Sequence, residues 1–267
     1  MAEQPAGDAR AGLRIKIMGT PRQTLGIVIR TADYKDNDRM ITLLTKEYGK
    51  MSASARGSRK PTSKLFAATS LFCCGEYMFY EKNGRYGVKS CAVRRTFFNM
   101  QNDYDAYAAA CFIADAIDKV AQEDDVSPGL FSLTVNAFYA LDTGVVPGTA
   151  LAYFIQRLLY IEGVYPNLKS CVFCGRRDSL IRFSAEHGGA VCTACAHTHG
   201  GNGLDADVLE TLARLAHTAP GDMGIVEIAA GTQEKLKKVL VSYLEHVLQK
   251  PLKTAAFVLG KGGPKKI

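Results

Sequence analysis

Apolar residues between Gln23 and Thr96 come in short runs separated by turn formers, and this spacing reads as strands. Leu25 to Ile29 and Met40 to Leu44 are buried-strand runs, and Met51 to Ala55 follows the turn Glu47-Tyr48-Gly49-Lys50. Leu71 to Tyr80 and Tyr86 to Val93 flank Asn83-Gly84, a strong hairpin signal because both residues tolerate positive φ. Five strands, with a short helix expected over Pro61 to Ala68, predict a small five-stranded barrel of OB type, and an SH3-like barrel would read almost the same way. Core filling is the expected role of Phe72, Phe79 and Phe98.

After Asn102 the period changes from two to about 3.6 residues. Tyr107, Cys111, Ala114, Ile117 and Val120 predict one helical face, and Leu130, Leu133, Ala137 and Leu141 a second helix. Leu151, Phe154, Ile155, Leu158 and Leu159 give the cleanest helical pattern in the chain. Leu204, Val208, Leu212 and Leu215 predict a further helix capped by Asp205. Leu236 to Val247 predicts a long one with Thr232 as its N-cap. The fold class is therefore α+β, a barrel followed by an all-helical domain with a cysteine-bearing insert. The expected divisions are a tail over 1–18, the barrel over 19–98, helices over 99–168, the insert over 169–202, helices over 203–257 and a basic tail over 258–267. Helices on the two sides of the insert should pack as one bundle, since neither set can bury its apolar stripe alone.

The insert changes the picture from fold to chemistry. Cys171, Cys174, Cys192 and Cys195 form C-x2-C-x17-C-x2-C, a spacing suited to one tetrahedral zinc ion. Four thiolates close the coordination shell and leave no position for a reactive water, so the expected role is structural. A redox C-x-x-C is the rival reading, but neither pair lies in a βαβ pattern. His197 and His199 are expected to be loop residues, though one could replace a cysteine. Cys73, Cys74, Cys91 and Cys111 lie in apolar surroundings and read as small core residues.

Charge adds a direction. The 267-residue chain carries a net charge of +7, but residues 1–100 hold 18 Lys and Arg against 8 Asp and Glu, while 101–169 hold 3 against 9. Only the barrel end is built to meet a polyanion. Arg56, Arg59, Lys60 and Lys64 cluster after the third strand, and Arg22, Arg30, Lys35, Arg39, Lys46 and Lys50 come from the strands before it. Such a surface binds phosphates without reading sequence, and Tyr34, Tyr48, Tyr86 and Phe97 could stack on bases. Phosphate-loop, nucleophile-elbow, zinc-protease and dinucleotide fingerprints are all missing from the sequence, so no catalytic residue is expected. The sequence shows no apolar run long enough for a membrane span or a secretion signal, which predicts a cytoplasmic protein.

Residues Ala32 to Met51, Ala55 to Lys60, Gly163 to Gly175 and Gly188 to Cys192 together resemble the DNA repair protein RecO family, whose barrel, helices and insert follow the same order. The resemblance implies a non-enzymatic recombination mediator, cytoplasmic and nucleoid-associated, that binds single- and double-stranded DNA and anneals complementary strands. It also implies a protein that works with RecR and helps load recombinase onto DNA coated with single-stranded DNA-binding protein. Carried over by position, Arg39, Arg56, Arg59, Lys60 and Lys64 should contact phosphates. Phe154, Arg157 and Leu158 should offer a groove and a cation to the acidic tail of single-stranded DNA-binding protein. An RNA- or ribosome-associated OB-fold zinc protein is the alternative reading.

Overall fold

In the computed structural model, residues 21–260 are described. Of the two expected tails, 1–18 and 261–267 lie outside that range. Five strands, β1 (Arg22–Tyr34), β2 (Asp38–Thr45), β3 (Gly49–Ala55), β4 (Cys74–Lys82) and β5 (Arg85–Arg95), close a barrel in the order β1-β2-β3-β5-β4. This is an OB-like fold. All neighbours are antiparallel except β3 and β5, which close the barrel through a parallel pair at Ala53–Tyr86 and Ser54–Gly87. Strand alternation sorts the side chains: Gly49, Met51, Ala53 and Ala55 of β3 are buried, while Lys50, Ser52 and Ser54 point outward. Ile41, Leu43, Tyr77, Phe79 and Val88 fill the interior with them.

Two local expectations are corrected. The fourth strand begins at Cys74 rather than Leu71, because Phe72 takes φ +68° and turns the chain inward. Pro61 to Ala68 forms turns ending in one 3-10 turn at Ala67–Thr69, not a helix. Pro61, Thr62 and Lys64 are exposed, so that segment has no apolar stripe to pay the cost of helix formation.

The helices are α1 (Tyr104–Val120), α2 (Pro128–Asp142) and α3 (Pro147–Ile161), then α5 (Ala206–His217), α6 (Ala230–Leu248) and α7 (Ala255–Val258). Between α3 and α5 lies the insert, with β6 (Leu180–Ser184), β7 (Gly189–Cys192), α4 (Thr193–His199) and β8 (Asn202–Gly203). Caps fix several starts: Asp103 accepts from Ala106 N at 2.8 Å, Ser127 from Leu130 N at 3.3 Å and Asp205 from Val208 N at 3.1 Å. Thr232 is not the cap of α6. The helix begins one turn earlier and Thr232 is buried inside it. The face expected for α1 is also incomplete, since Tyr107 is partly exposed while Ala109, Phe112, Ile113 and Ala116 are buried; α1 is surrounded on most sides.

Helices from before and after the insert share one core, as expected. Phe154, Ile155 and Leu158 of α3 belong to the same cluster as Leu212 and Leu215 of α5 and Leu236 and Leu240 of α6. The barrel joins it too: Ile27, Ile29, Leu44 and Phe72 lie in that helical core. Polar ties reinforce the seam. Lys50 donates to Asp118 O at 2.7 Å, and Arg30 pairs with the Asp118 carboxylate at 3.6 Å. The segment between α1 and α2 is laid along the barrel, with Lys50 N donating to Gln122 O at 3.2 Å. Gly49 makes this approach possible, because at φ +64° a Cβ there would stand 2.2 Å from Asp125 O. Among the described residues, no helix is long and apolar enough to cross a membrane.

Candidate nucleic-acid interface and metal centre

Two hairpins stand on either side of a groove of about 890 Å³ across the outer face of β2 and β3. The β1–β2 hairpin contributes Tyr34 and Lys35, and the β4–β5 hairpin contributes Lys82 and Arg85. The serines Ser52 and Ser54 keep the floor shallow, and Arg56 closes one end. Tyr80 lies flat on the backbone of its cross-strand partner Gly87, where a Cβ would stand 2.2 Å from the ring. Tyr86 beside it carries the Arg22 guanidinium at 5.0 Å from its centroid. Among the described residues, Arg56, Lys82 and Arg85 make no ion pair. This face, between these two hairpins, is where OB folds take up oligonucleotides.

The five cations expected to contact phosphates are not one patch. Arg56 lines the groove, whereas Arg39, Arg59, Lys60 and Lys64 do not. Arg39 and Arg59 both reach Asp33, at 3.6 and 3.2 Å. Arg59 also donates to the Lys35 and Asp36 carbonyls, and Arg39 lies over the Phe66 ring at 5.6 Å. These two arginines brace the β1–β2 hairpin against the 57–69 loop, as does Asp38 by accepting from Gly57 N at 2.8 Å. Lys60 and Lys64 project from that loop, exposed. Lys82, Arg85 and Tyr80, which the sequence pattern does not single out, also line the groove. The signal was present, since Lys82 and Arg85 flank the Asn83-Gly84 turn, but only the closed barrel shows which hairpin overlooks β3. Of the proposed stacking residues, Tyr34 is 46% exposed, but Phe97 is buried at 2% and cannot meet a base. Phe98, expected in the core, is 63% exposed.

The expected docking trio is corrected. Phe154 and Leu158 are completely buried, so they form no surface groove. Arg157 donates to Thr218 O at 2.9 Å and lies over the Tyr153 ring, tying α3 to the end of α5.

In the insert, Cys171 to Cys174 form a tight turn closed by Gly175 N donating to Cys171 O at 2.9 Å, with Gly175 at φ +74°. Cys192 ends β7 and precedes α4, whose first turn presents Cys195. Gly189 holds the two halves together: a Cβ there would lie 2.4 Å from Asn167 O, while Ala190 N donates to that same oxygen at 2.8 Å. The four ligand sulfurs all lie within 4.8 Å of one another, and a tetrahedral four-thiolate site places them about 3.8 Å apart. Burial opposes ionisation of Cys171, yet backbone donors around the turn, from Cys192, Cys174 and Phe173, bring its thiol down to about 6. Cys195 is pushed up to about 12, first by its hydrogen bond with Cys174 and then by burial. One easily ionised thiol beside a reluctant one is what four crowded sulfurs do until a cation balances them. His199 stacks on Phe173 at 3.6 Å between centroids, and neither His197 nor His199 belongs to the cluster.

Barrel, bundle and cysteine cluster together define an OB-fold protein whose helical half carries four thiols close enough to hold one metal ion. Its amino-terminal residues 18–97 match the family model "Recombination protein O N terminal", and residues 101–256 match "Recombination protein O C terminal". The chain belongs to the RecO family. It is 27% identical over 237 residues to a protein of Halalkalibacterium halodurans named DNA repair protein RecO, covering 87% of this chain and 92% of that one. Proteins of the same name from Listeria monocytogenes serotype 4a and Bacillus velezensis are 28% and 30% identical over 234 residues, with the same coverage. Membership supports a role in DNA repair.

Proposed function

We propose that the chain is a recombination mediator that holds single-stranded DNA in the groove across β2 and β3. The observation that carries this reading is the set of cations Arg56, Lys82 and Arg85, without an ion pair among the described residues, placed beside Tyr80 and Tyr86 on the oligonucleotide face of an OB barrel. Phosphates lying on these cations release counterions, and bases turned to the tyrosines gain about 1–3 kcal/mol each by stacking. Annealing then needs no bond chemistry: the bound strand is partly neutralised, which lowers its repulsion of a complementary strand. The protein is accordingly not an enzyme. With RecR it helps load recombinase onto DNA coated with single-stranded DNA-binding protein, in the cytoplasm at the nucleoid. The acidic tail of that protein docks on a surface other than one made by Phe154 and Leu158. Cys171, Cys174, Cys192 and Cys195 would hold one zinc ion, whose chemistry is to fix the insert's shape.

Annealing of complementary strands precoated with single-stranded DNA-binding protein tests the groove. Arg56→Glu with Arg85→Glu should slow annealing at least about tenfold, with an unchanged circular dichroism spectrum, if two phosphate contacts become repulsive. Annealing at the unaltered rate would place the DNA elsewhere.

A further inference from the structure

The cations that the groove leaves out lie across the same hairpin. In the register of β1 with β2, Tyr34 pairs with Asp38 and Ala32 with Met40, and Asp33 pairs with Arg39 between them. Side chains alternate across a strand. Tyr34, Asp38 and Met40 therefore share the face that lines the groove, and Asp33 and Arg39 share the opposite one. The β1–β2 hairpin stands as a wall, with the groove on one side and the 57–69 loop braced against the other.

That loop is a plug anchored by its apolar residues. Leu65 and Ala68 pack into the barrel core, where the Tyr77 hydroxyl donates to Ala68 O at 2.6 Å. Successive turns hold its course: Lys60 N donates to Gly57 O at 3.3 Å, Ser63 N to Lys60 O at 2.8 Å and Phe66 N to Ser63 O at 3.0 Å. Lys60, Lys64 and Phe66 are left exposed. Among the described residues neither lysine forms an ion pair. Phe66 is 41% exposed even with the Arg39 guanidinium over its ring. Asp33 balances Arg39 and Arg59, so those arginines fix the loop and leave the lysines to meet an anion. Cations without an ion pair beside an exposed aromatic ring repeat, outside the groove, the pairing of Arg56 and Lys82 with Tyr80 within it.

We propose that the 57–69 loop is a second site for single-stranded nucleic acid, so that one chain holds two strands, one on each side of the β1–β2 hairpin. The proposal rests on the groove reading for the first strand. A groove alone neutralises one strand and leaves its complement to arrive from solution. With its phosphates on Lys60 and Lys64 and a base against Phe66, the complement is instead held at an effective concentration on the order of millimolar. The hairpin keeps the two polyanions apart, and neither site reads sequence, as annealing of arbitrary strands requires.

Native mass spectrometry of the full chain counts the strands that each chain holds. The probes are two non-complementary oligonucleotides of about eight nucleotides, within the length one OB fold takes up. The wild-type chain should reach two strands, and Lys60→Glu with Lys64→Glu should stop at one. That variant should anneal complementary strands at least about fivefold more slowly, while its affinity for a first strand, by fluorescence anisotropy, falls less than about threefold. Phe66→Ala, which alters no charge, should weaken the second strand about tenfold and leave the first unchanged. Saturation of the wild-type chain at one strand overturns the proposal, as does a lysine variant that still takes two or that anneals at the wild-type rate. A proportional loss of first-strand affinity and annealing also overturns it, because it means one continuous site. Arg56→Glu with Arg85→Glu separates the two readings. If that variant still takes two strands, the groove reading falls; if it takes one while the lysine variant keeps two, only the second site falls.

Discussion

Asp142 shows how one side chain closes several accounts at the junction of barrel and bundle. It sits at the end of α2, 7% exposed, and accepts from Asn99 N at 2.8 Å, from Met100 N at 3.3 Å and from Arg95 at 2.9 Å. Arg95 in turn lies over the Tyr139 ring at 4.5 Å. Removing the carboxylate strands two backbone donors, so Asp142→Ala should lower stability by about 2–3 kcal/mol, read as a lower denaturant midpoint at unchanged slope. Gly49→Ala should cost about 1–3 kcal/mol, because it combines positive φ with a collision against Asp125 O. At this scale the sequence was readable where chemistry is local. The thiol spacing identified all four sulfurs, and Asp205 was visible as a cap. It was not readable where a residue's role depends on what the fold brings to it. Arg39 and Arg59 look like Arg56 in the sequence, yet Asp33 takes them up; Lys82 and Arg85 look like ordinary hairpin flanks.

Among the elements, the insert has the least core of its own. Cys171, Val191 and Cys192 form its small cluster, with Val172, Phe173 and Cys195 partly buried around them. It leans on α6 through Tyr243, which donates to Val164 O at 2.9 Å and meets Phe183 edge to face, and through Asn202 to Ser242 at 2.8 Å. Metal binding can contribute on the order of 10 kcal/mol to such a segment. Cys171→Ser, or zinc chelation, should therefore open residues 169–202 to proteolysis while the helical circular dichroism signal of α1 to α3 persists. Metal analysis should find one zinc per chain in the intact protein, with release increasing as pH falls, since protonated thiols do not ligate. The strands of the barrel and the helices α3 and α5 were legible because their apolar periods are complete. Pro61 to Ala68 was not, because its few apolar residues fit a helix as well as a series of turns. The start of α6 was not either, since Thr232 is a good cap by type and becomes interior when packing extends the helix past it.

Over the whole molecule, the uneven charge of the sequence becomes geometry: the cations overlook β3, and the acidic α1–α2 linker borders the same face. If about six phosphates are contacted, affinity for single strands should fall by roughly a thousandfold between 50 and 200 mM salt; salt-insensitive binding would mean that the cations do not hold the backbone. The order of barrel, helices and insert was legible from the changes of period along the chain. The seam between barrel and bundle was not, because Ile27, Ile29, Leu44 and Phe72 read as barrel residues and nothing local says that they face outward into helices. That seam sets how the chain can be cut. A fragment ending at residue 97, the edge of the family match, would leave these four side chains facing water, each forfeiting about 1.5–3 kcal/mol of burial. Such a fragment should aggregate on expression, and the intact chain should melt in a single calorimetric peak, so DNA-contact mapping belongs to point variants rather than to dissection.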